Sequence, residues 1–479
     1  MGAGSTQALR FVAYATEENR MSDELWRRSA RELAAMIRQG DVSSREVVEA
    51  HLTRIDAVND RVNAVTVILA EEARAAADRA DAAGPGAKGP LHGVPITVKE
   101  NVDLVGSATT RGVEALANEM PTIDAPVTAR MKAAGAIPIG RTNLPEMGLR
   151  IDTANPLRGR TFNPWAHHLT AGGSSGGEGV ALATGMSPLG LGNDIGGSVR
   201  NPAYCNGVTS LKPTRGRLPR VYTTVPENLD LSSQIMSSEG PMARTVDDVQ
   251  LALEILNGRH PGDPTSVDVA LVGAAAPLTA ALVTAADGVD IDPICADATR
   301  RAADALTAAG WEVTEVAPPE LALVTELWGS MMAADISASL PLLEQFLSPE
   351  LVALLDQTPE FFSDMPTATC HVERHRLGRE WSNFFADHSV MITPTWTKRP
   401  FEHDRDLQPG GIEMMVGLLP FITPGNVLGI PAAAVPTGLV DGLPTGVQVY
   451  ADLWRDDLAL EAAQVVEDAC GTITPIDPL

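Results

Sequence analysis

The sequence predicts an α/β fold in which a mostly parallel or mixed β-sheet is covered by helices. Three observations carry this. Helical patterns with recognisable caps alternate with short apolar runs rich in β-branched residues. Of 479 residues, 44% are hydrophobic and 20% charged, enough to bury a large core and too apolar for a wholly disordered chain. No internal repeat, low-complexity tract or long linker divides the chain, so it reads as one unit.

Taken in order, residues 24–38 place Leu25, Ala30, Leu33 and Ile37 at helical spacing, and Gly40 stops the helix. Ser43 with Glu46 forms a capping box for a helix running through Ile55. An Ala-rich helix covers 70–83, and 85–90 is a loop. Residues 94–98 read as a buried strand with Pro95 near its start. A helix at 125–134 is closed by Gly135, and a strand follows at 136–139. Beyond a glycine-dense stretch at 170–216, a strand is expected at 267–272, a helix at 293–309 and a strand at 311–316. Residues 319–386 are mostly helical. Short strands at 390–393, 432–435 and 447–450 precede a last helix at 458–468. The longest apolar run, 269–286, contains Gly273, Pro277, Thr279 and Thr284. It reads as a buried strand followed by a short helix rather than a membrane span.

Acidic residues number 61 against 36 basic ones, for a formal net charge of −25. A phosphate-backbone binder needs a basic surface. No Lys/Arg cluster offsets the acidic excess, which argues against nucleic-acid and membrane partners. Cys205, Cys295, Cys370 and Cys470 lie far apart, with no CxxC or His/Cys ligand cluster. They read as reduced and buried, with no metal site, in a cytoplasmic protein. The N-terminus shows no basic stretch followed by an apolar signal segment. Residues 1–6 formally fit a myristoylation pattern but read as an ordinary Gly/Ser start. Lysines are few (Lys88, Lys99, Lys132, Lys212 and Lys398), so each is worth inspecting.

The informative segment consists of two Gly/Ser-rich loops, AGGSSGGEG at 171–179 and GNDIGGSVR at 192–200. Glycines permit close backbone approach, and consecutive N–H groups can cradle negative charge, either a phosphate or an oxyanion. The phosphate reading fails because there is no GxxxxGK[ST] and no strand followed by GxGxxG. A structural loop and a catalytic loop both remain open from composition. A serine needs a neighbouring base to become nucleophilic. Only His167 and His168 lie near these serines in sequence. Lys99 follows an apolar run, where a lysine reads either as a snorkelling surface residue or as an amine whose charge burial would disfavour.

GGSSGGEG at 172–179, followed by LGLGNDIGGSVRNPAYCNGVTSLKPT at 189–214, resembles the diagnostic block of the amidase signature family. GVPITVKEN at 93–101, NLPEM at 143–147, NPW at 163–165, ITPT at 392–395 and GIPA at 429–432 are similar to its other markers. The resemblance covers roughly residues 25–470. Glu178 and the Asp194–Ile195 pair look like the fatty acid amide hydrolase branch, and the C-terminal layout is similar to bacterial cyclic-dimer and small-amide hydrolases.

The resemblance implies a mixed central sheet flanked by helices on both sides. It implies a single domain over 1–479, with a helical section to about 65, a signature core at 66–260 and a variable substrate-pocket region at 320–420. It further implies hydrolysis of an amide carbon–nitrogen bond through an acyl-enzyme, without metal or cofactor, in a protein that could form a homodimer. Ser198 falls at the nucleophile and Lys99 at the base. Ser174 falls at the bridging serine, whose preceding peptide bond is cis in the family. The N–H groups of Ile195, Gly196, Gly197 and Ser198 fall at the oxyanion hole. An ester or carbamate (urethane) hydrolase would use the same triad. The amidase component of a tRNA-dependent amidotransferase and a catalytically dead binding protein are the remaining rivals.

Ser175 could hydrogen-bond the lysine or only turn its loop, and Asp194 and Arg200 are expected to pair and brace the nucleophile loop. Met147, Gly148 and Leu149 are candidate substrate contacts, with Ile151 nearby. Arg150 reads either as a surface residue or as a receptor for an acidic substrate group. Met331, Met332, Met365, Met414 and Met415 read as core or as an adaptable pocket wall. Lys212 and Cys205 read as structural, and His167 and His168 as solvated or capping residues.

Overall fold

The computed structural model describes residues 24–84, 89–362 and 365–479. The Gly/Ser start at 1–6 and most of the loop at 85–90 lie outside the described residues. An eleven-stranded sheet runs through the molecule. Its strands are β1 (Val65–Ile68), β2 (Pro95–Lys99), β3 (Ile137–Thr142), β6 (Leu189–Asp194), β7 (Thr209–Lys212), β8 (Ser238–Ala243), β9 (Thr279–Leu282), β10 (Glu312–Glu315), β11 (Val390–Pro394), β12 (Ala432–Val440) and β13 (Leu443–Tyr450). A separate hairpin pairs β4 (Ala154–Asn155) with β5 (Gly159–Arg160). The spatial order is β1-β3-β2-β6-β8-β7-β12-β13-β11-β9-β10. Pairings around β2 and β9 are parallel and those through the middle antiparallel, so the sheet is mixed rather than mostly parallel. No helix among the described residues is long and apolar enough to cross a membrane.

Local signals account for many of the element boundaries. Ser43 and Glu46 make both bonds of a capping box, and the helix Ser44–Val62 runs on to Asn63 in the left-handed region. The pattern at 24–38 is two elements, a 3-10 turn (Leu25–Arg27) and the helix Ala30–Gln39. Between them, Ser29 caps the helix with Glu32. The strand expected at 267–272 does not form. Val272 is 75% exposed, the Val267 N–H donates to Gly216 and Asp268 accepts the Arg259 N–H. The apolar run contributes only β9. No helix follows it before Pro293–Ala308, so the expected strand-plus-helix is corrected to one strand.

The sheet positions the site through β2. It lies between β3 and β6, parallel to both, with Thr97 opposite Gly190 and Lys99 opposite Thr142. Its side chains alternate. Ile96 and Val98 join the main core, while Thr97 donates to Glu178 on the fully buried helix Gly176–Ala183. Lys99 shares the Thr97 face and stands at the carboxyl end of β2, where ligand sites of parallel strands gather. The glycines of that helix let it press on the sheet. A Cβ at Gly177 would lie 2.3 Å from the Asn143 nitrogen and 2.7 Å from the Ala64 oxygen, both backbone atoms.

Gly177→Ala should therefore destabilise the fold by about 2 kcal/mol or more, because backbone cannot yield as a side chain can. Urea unfolding checks this; an unchanged midpoint would show that the helix can move off the sheet.

Candidate active site

The glycine-dense loops fold over the carboxyl ends of β2 and β6. Lys99 is fully buried, and its Nζ donates to Asn193 Oδ1 at 3.0 Å and lies 2.8 Å from Ser174 Oγ. Asn193 is itself locked to Asn101 by a reciprocal pair of side-chain hydrogen bonds. Burial pushes the Lys99 ammonium down to about 7, against the opposing pull of Glu239 and Asp194; Arg220 lowers it further, and Glu178 pulls upward. Burial likewise raises the Glu178 carboxyl to about 7, although Thr97 and Thr142 hydrogen-bond it.

The Gly173–Ser174 peptide bond is cis. Asn201 ties the two loops together: its Nδ2 donates to the Gly173 carbonyl and to the Gly196 carbonyl, both at 3.1 Å. The Trp396 indole N–H holds the other end of that amide at 2.8 Å. The Ser175 N–H donates to the Ser198 carbonyl at 3.0 Å, which sets Ser174 and Ser198 on neighbouring backbone. Ser175 Oγ finds no hydrogen-bond partner among the described residues, so neither a bond to Lys99 nor another polar contact engages it. Gly148 closes the space from the far side; a Cβ there would lie 3.2 Å from Ser174 Oγ.

Residues 195–199 turn from β6 into the helix Arg200–Asn206. Asp194 organises that turn. Its carboxylate accepts the Gly197 N–H at 2.9 Å and the Val199 N–H at 3.3 Å, and pairs with the Arg200 guanidinium through two bonds of 3.0 Å. Both residues are fully buried. Burial alone would raise the Asp194 carboxyl, but Arg200 overrides it and holds the group well below the usual carboxylate range. Of the expected oxyanion donors, the Gly197 N–H is already engaged by Asp194. The N–H groups of Ile195, Gly196 and Ser198 make no hydrogen bond to another group among the described residues.

Ser198 opens onto a narrow cavity of about 100 Å³. Its wall is apolar: Leu149, Ile151, Ile195, Trp328, Met332, Ile336, Leu354, Leu355, Phe362, Ile412, Met415 and Leu419. A wider space of about 750 Å³ adjoins it through the shared residues Phe362 and Val416, and carries Asp287, Asp290, Glu326, Lys398 and Arg399. Arg150 lines the narrow cavity, but its guanidinium is taken by Asp406 (2.7 and 2.9 Å) and Asp404 (2.9 Å). This removes both sequence readings of Arg150, as a surface residue and as a receptor for substrate charge. Asp152, Asp404 and Asp406 gather oxygens within 4.8 Å, a spacing open to a cation, but Arg150 and Arg160 already neutralise them.

Of the expected substrate contacts, Gly148 and Leu149 line the cavity. Met147 does not; it packs in a neighbouring cluster with Leu347 and Leu351. Met332 and Met415 line the cavity, Met414 the wider space, and Met331 is core. Lys212 is buried and donates to the Pro213 carbonyl, Cys205 is buried, and His167 and His168 are exposed. Sequence reasoning gives no role to Asn193, Asn201, Asn426 or Trp328. Asn193 and Asn201 lie inside the block at 189–214, so a buried polar residue beside the expected triad was the available signal. Nothing local marks Asn426 or Trp328.

A family model described as amidase matches residues 46–460. The chain is 42% identical to an indoleacetamide hydrolase of Bradyrhizobium diazoefficiens, over 94% of this chain and 88% of that protein. It is 32% identical to an acylamidase of Rhodococcus erythropolis, over 91% of this chain and 94% of that protein. Among solved structures, 6-aminohexanoate cyclic dimer hydrolase complexed with substrate superposes with a TM-score of 0.80 at 30% identity, covering 94% of this chain and 98% of that one.

Replacing Arg200 by Met leaves the Asp194 charge buried without its partner. Thermal or urea unfolding should show a loss of about 3–5 kcal/mol. A loss under about 1 kcal/mol would mean that Asn426 and the backbone N–H groups suffice for Asp194.

Proposed function

This chain belongs to the amidase family of hydrolases acting on amide carbon–nitrogen bonds, and from that premise we propose a mechanism and a substrate class. Ser198 is the nucleophile, Ser174 the proton relay and Lys99 the base. The observation that carries this reading is the fully buried Lys99 amine, 2.8 Å from Ser174 Oγ. A neutral amine there accepts the Ser174 proton, and Ser174 in turn accepts that of Ser198 as its Oγ bonds to the amide carbon. The negative charge that develops on the carbonyl oxygen is met by the N–H groups of Ile195, Gly196 and Ser198. The relay then returns a proton to the leaving nitrogen, the carbon–nitrogen bond breaks, and an ester of Ser198 remains. Water attacks that ester, gives its proton to the same relay, and the acid departs.

The substrate is a neutral amide with an apolar acyl group. The cavity wall beside Ser198 is aliphatic and aromatic, and its one charged lining residue, Arg150, is saturated by carboxylates. Similarity to an indoleacetamide hydrolase supports the same class, the primary amide of an aryl-substituted acetic acid. Glutamine, the amide that an amidotransferase component would use, would bring two charges to a wall that offers neither a counterpart.

Steady-state kinetics over primary arylacetamides, glutamine, and the matching esters and carbamates test the proposal. Arylacetamides should be favoured over glutamine. Ser198→Ala and Lys99→Ala should each lose at least about 10³-fold in kcat. Activity in kcat/KM should rise with pH through about 7, because the base works only after its proton leaves. Preference for glutamine, or for esters and carbamates over every amide, would overturn the substrate class. Full activity of Ser198→Ala would overturn the mechanism.

A further inference from the structure

A trans peptide fixes its C=O and N–H in opposite directions, so whatever holds the carbonyl also aims the N–H of the next residue. The carbonyls of the turn at 194–197 are all held. Asn426 Nδ2 donates to the Asp194 carbonyl at 3.3 Å, Asn201 Nδ2 to that of Gly196 at 3.1 Å, and the Asn201 N–H to that of Gly197 at 2.6 Å. Asn426 and Asn201 are themselves fully buried. The fourth carbonyl, of Ile195, is held differently. It accepts the Trp328 indole N–H at 2.8 Å, and Trp328 belongs to the helix Leu321–Leu343. That carbonyl shares its peptide plane with the Gly196 N–H, one of the three donors left free for the substrate.

The indole also lies against the glycine itself. A Cβ at residue 196 would sit 2.8 Å from Trp328 Cζ2. On its other side the indole meets the Phe362 ring edge-on, with centroids 6.3 Å apart. Both rings line the cavity into which Ser198 opens. One side chain thus holds an oxyanion donor and forms part of the wall that an acyl group would touch.

We propose that Trp328 is a positioning residue of the oxyanion hole: its indole N–H aims the Gly196 N–H at the substrate oxygen, and its ring couples the seating of the acyl group to that donor. The proposal rests on the reaction proposed above. A ring acting only as a wall gives a different pattern. Its effect would grow with acyl size, appear in KM, and vanish for an acyl group too small to reach it. A ring that aims a donor affects every acyl group alike and appears in kcat, because the donor matters most as charge develops.

Trp328→Phe keeps an aromatic ring and removes the N–H. Kinetics with acetamide and with a primary arylacetamide, expressed per site titrated by a fluorophosphonate, discount any misfolded fraction. The expected result is a fall in kcat of about 10- to 100-fold for both amides, part of the about 10²–10³-fold cost of deleting one donor outright. KM should stay within about twofold, and the carbonyl stretch of the trapped acyl-enzyme should move to higher wavenumber. Phe362→Leu, which alters the wall and spares the indole N–H, should act chiefly on KM for the arylacetamide, the pattern of a wall residue. An unaltered kcat for acetamide in Trp328→Phe, with losses only in KM for the larger amide, would overturn the proposal. Retention of activity by Ser198→Ala in the same series would instead mark failure of the underlying reaction.

Discussion

Lys99 brings an amine to the carboxyl end of β2 with no solvent around it, and the surrounding structure is arranged about that constraint. An ammonium ion in such a place would carry a heavy desolvation cost unless a carboxylate touched it. None does. Its contacts are neutral oxygens of Ser174 and Asn193, and Glu239, Asp194 and Glu178 act on it only through space. All three carboxyls are otherwise engaged, Asp194 by Arg200, Glu178 by Thr97 and Thr142, and Glu239 by Tyr222 and Arg220. The amine is left near the point where it can hold or release a proton, which is what a lysine base requires.

The glycines follow from the same crowding. Composition suggested a cradle for negative charge, and part of the second loop fits that idea. In the first loop the glycines mainly admit close packing. Gly177 sits on the backbone of Asn143 and Ala64, and outside the loop Gly190 of β6 leaves room for Glu178 against the sheet. In the second loop Gly197 gives its N–H to Asp194, so the bracing of the turn takes one donor and leaves its neighbours free. Stability and chemistry share this loop: the buried Asp194–Arg200 pair stiffens it, while asparagine and tryptophan donors direct its peptide planes.

Much of this was legible from residue order, because it depends on local rules. Ser43 and Glu46 announced a helix start, the run before Lys99 announced a buried strand, and the two glycine–serine strings marked the segment that folds over it. The failures share a different cause. The stretch at 267–272 has strand-like residues but no neighbouring strand to pair with, and β9 takes that place in the sheet. Met147 and Arg150 are read from their place beside a motif, and Gly197 from the family resemblance. Their positions were decided by distant groups: the cluster around Leu347, the carboxylates of Asp404 and Asp406, and the Asp194 side chain. Trp328 lies 133 residues from the carbonyl it holds, and no periodicity or motif reports a contact of that kind.

The central claim is that a neutral, buried Lys99 activates Ser198 through Ser174. The most direct measurement is the rate at which a fluorophosphonate adds once to the protein, followed by intact mass across pH. The account predicts one adduct on the wild type, none on Ser198→Ala, and a rate that rises with a midpoint near pH 7. In Lys99→Ala that rate should be far slower and lose the midpoint. Labelling that persists in Ser198→Ala, or a wild-type pH profile unchanged in Lys99→Ala, would contradict it.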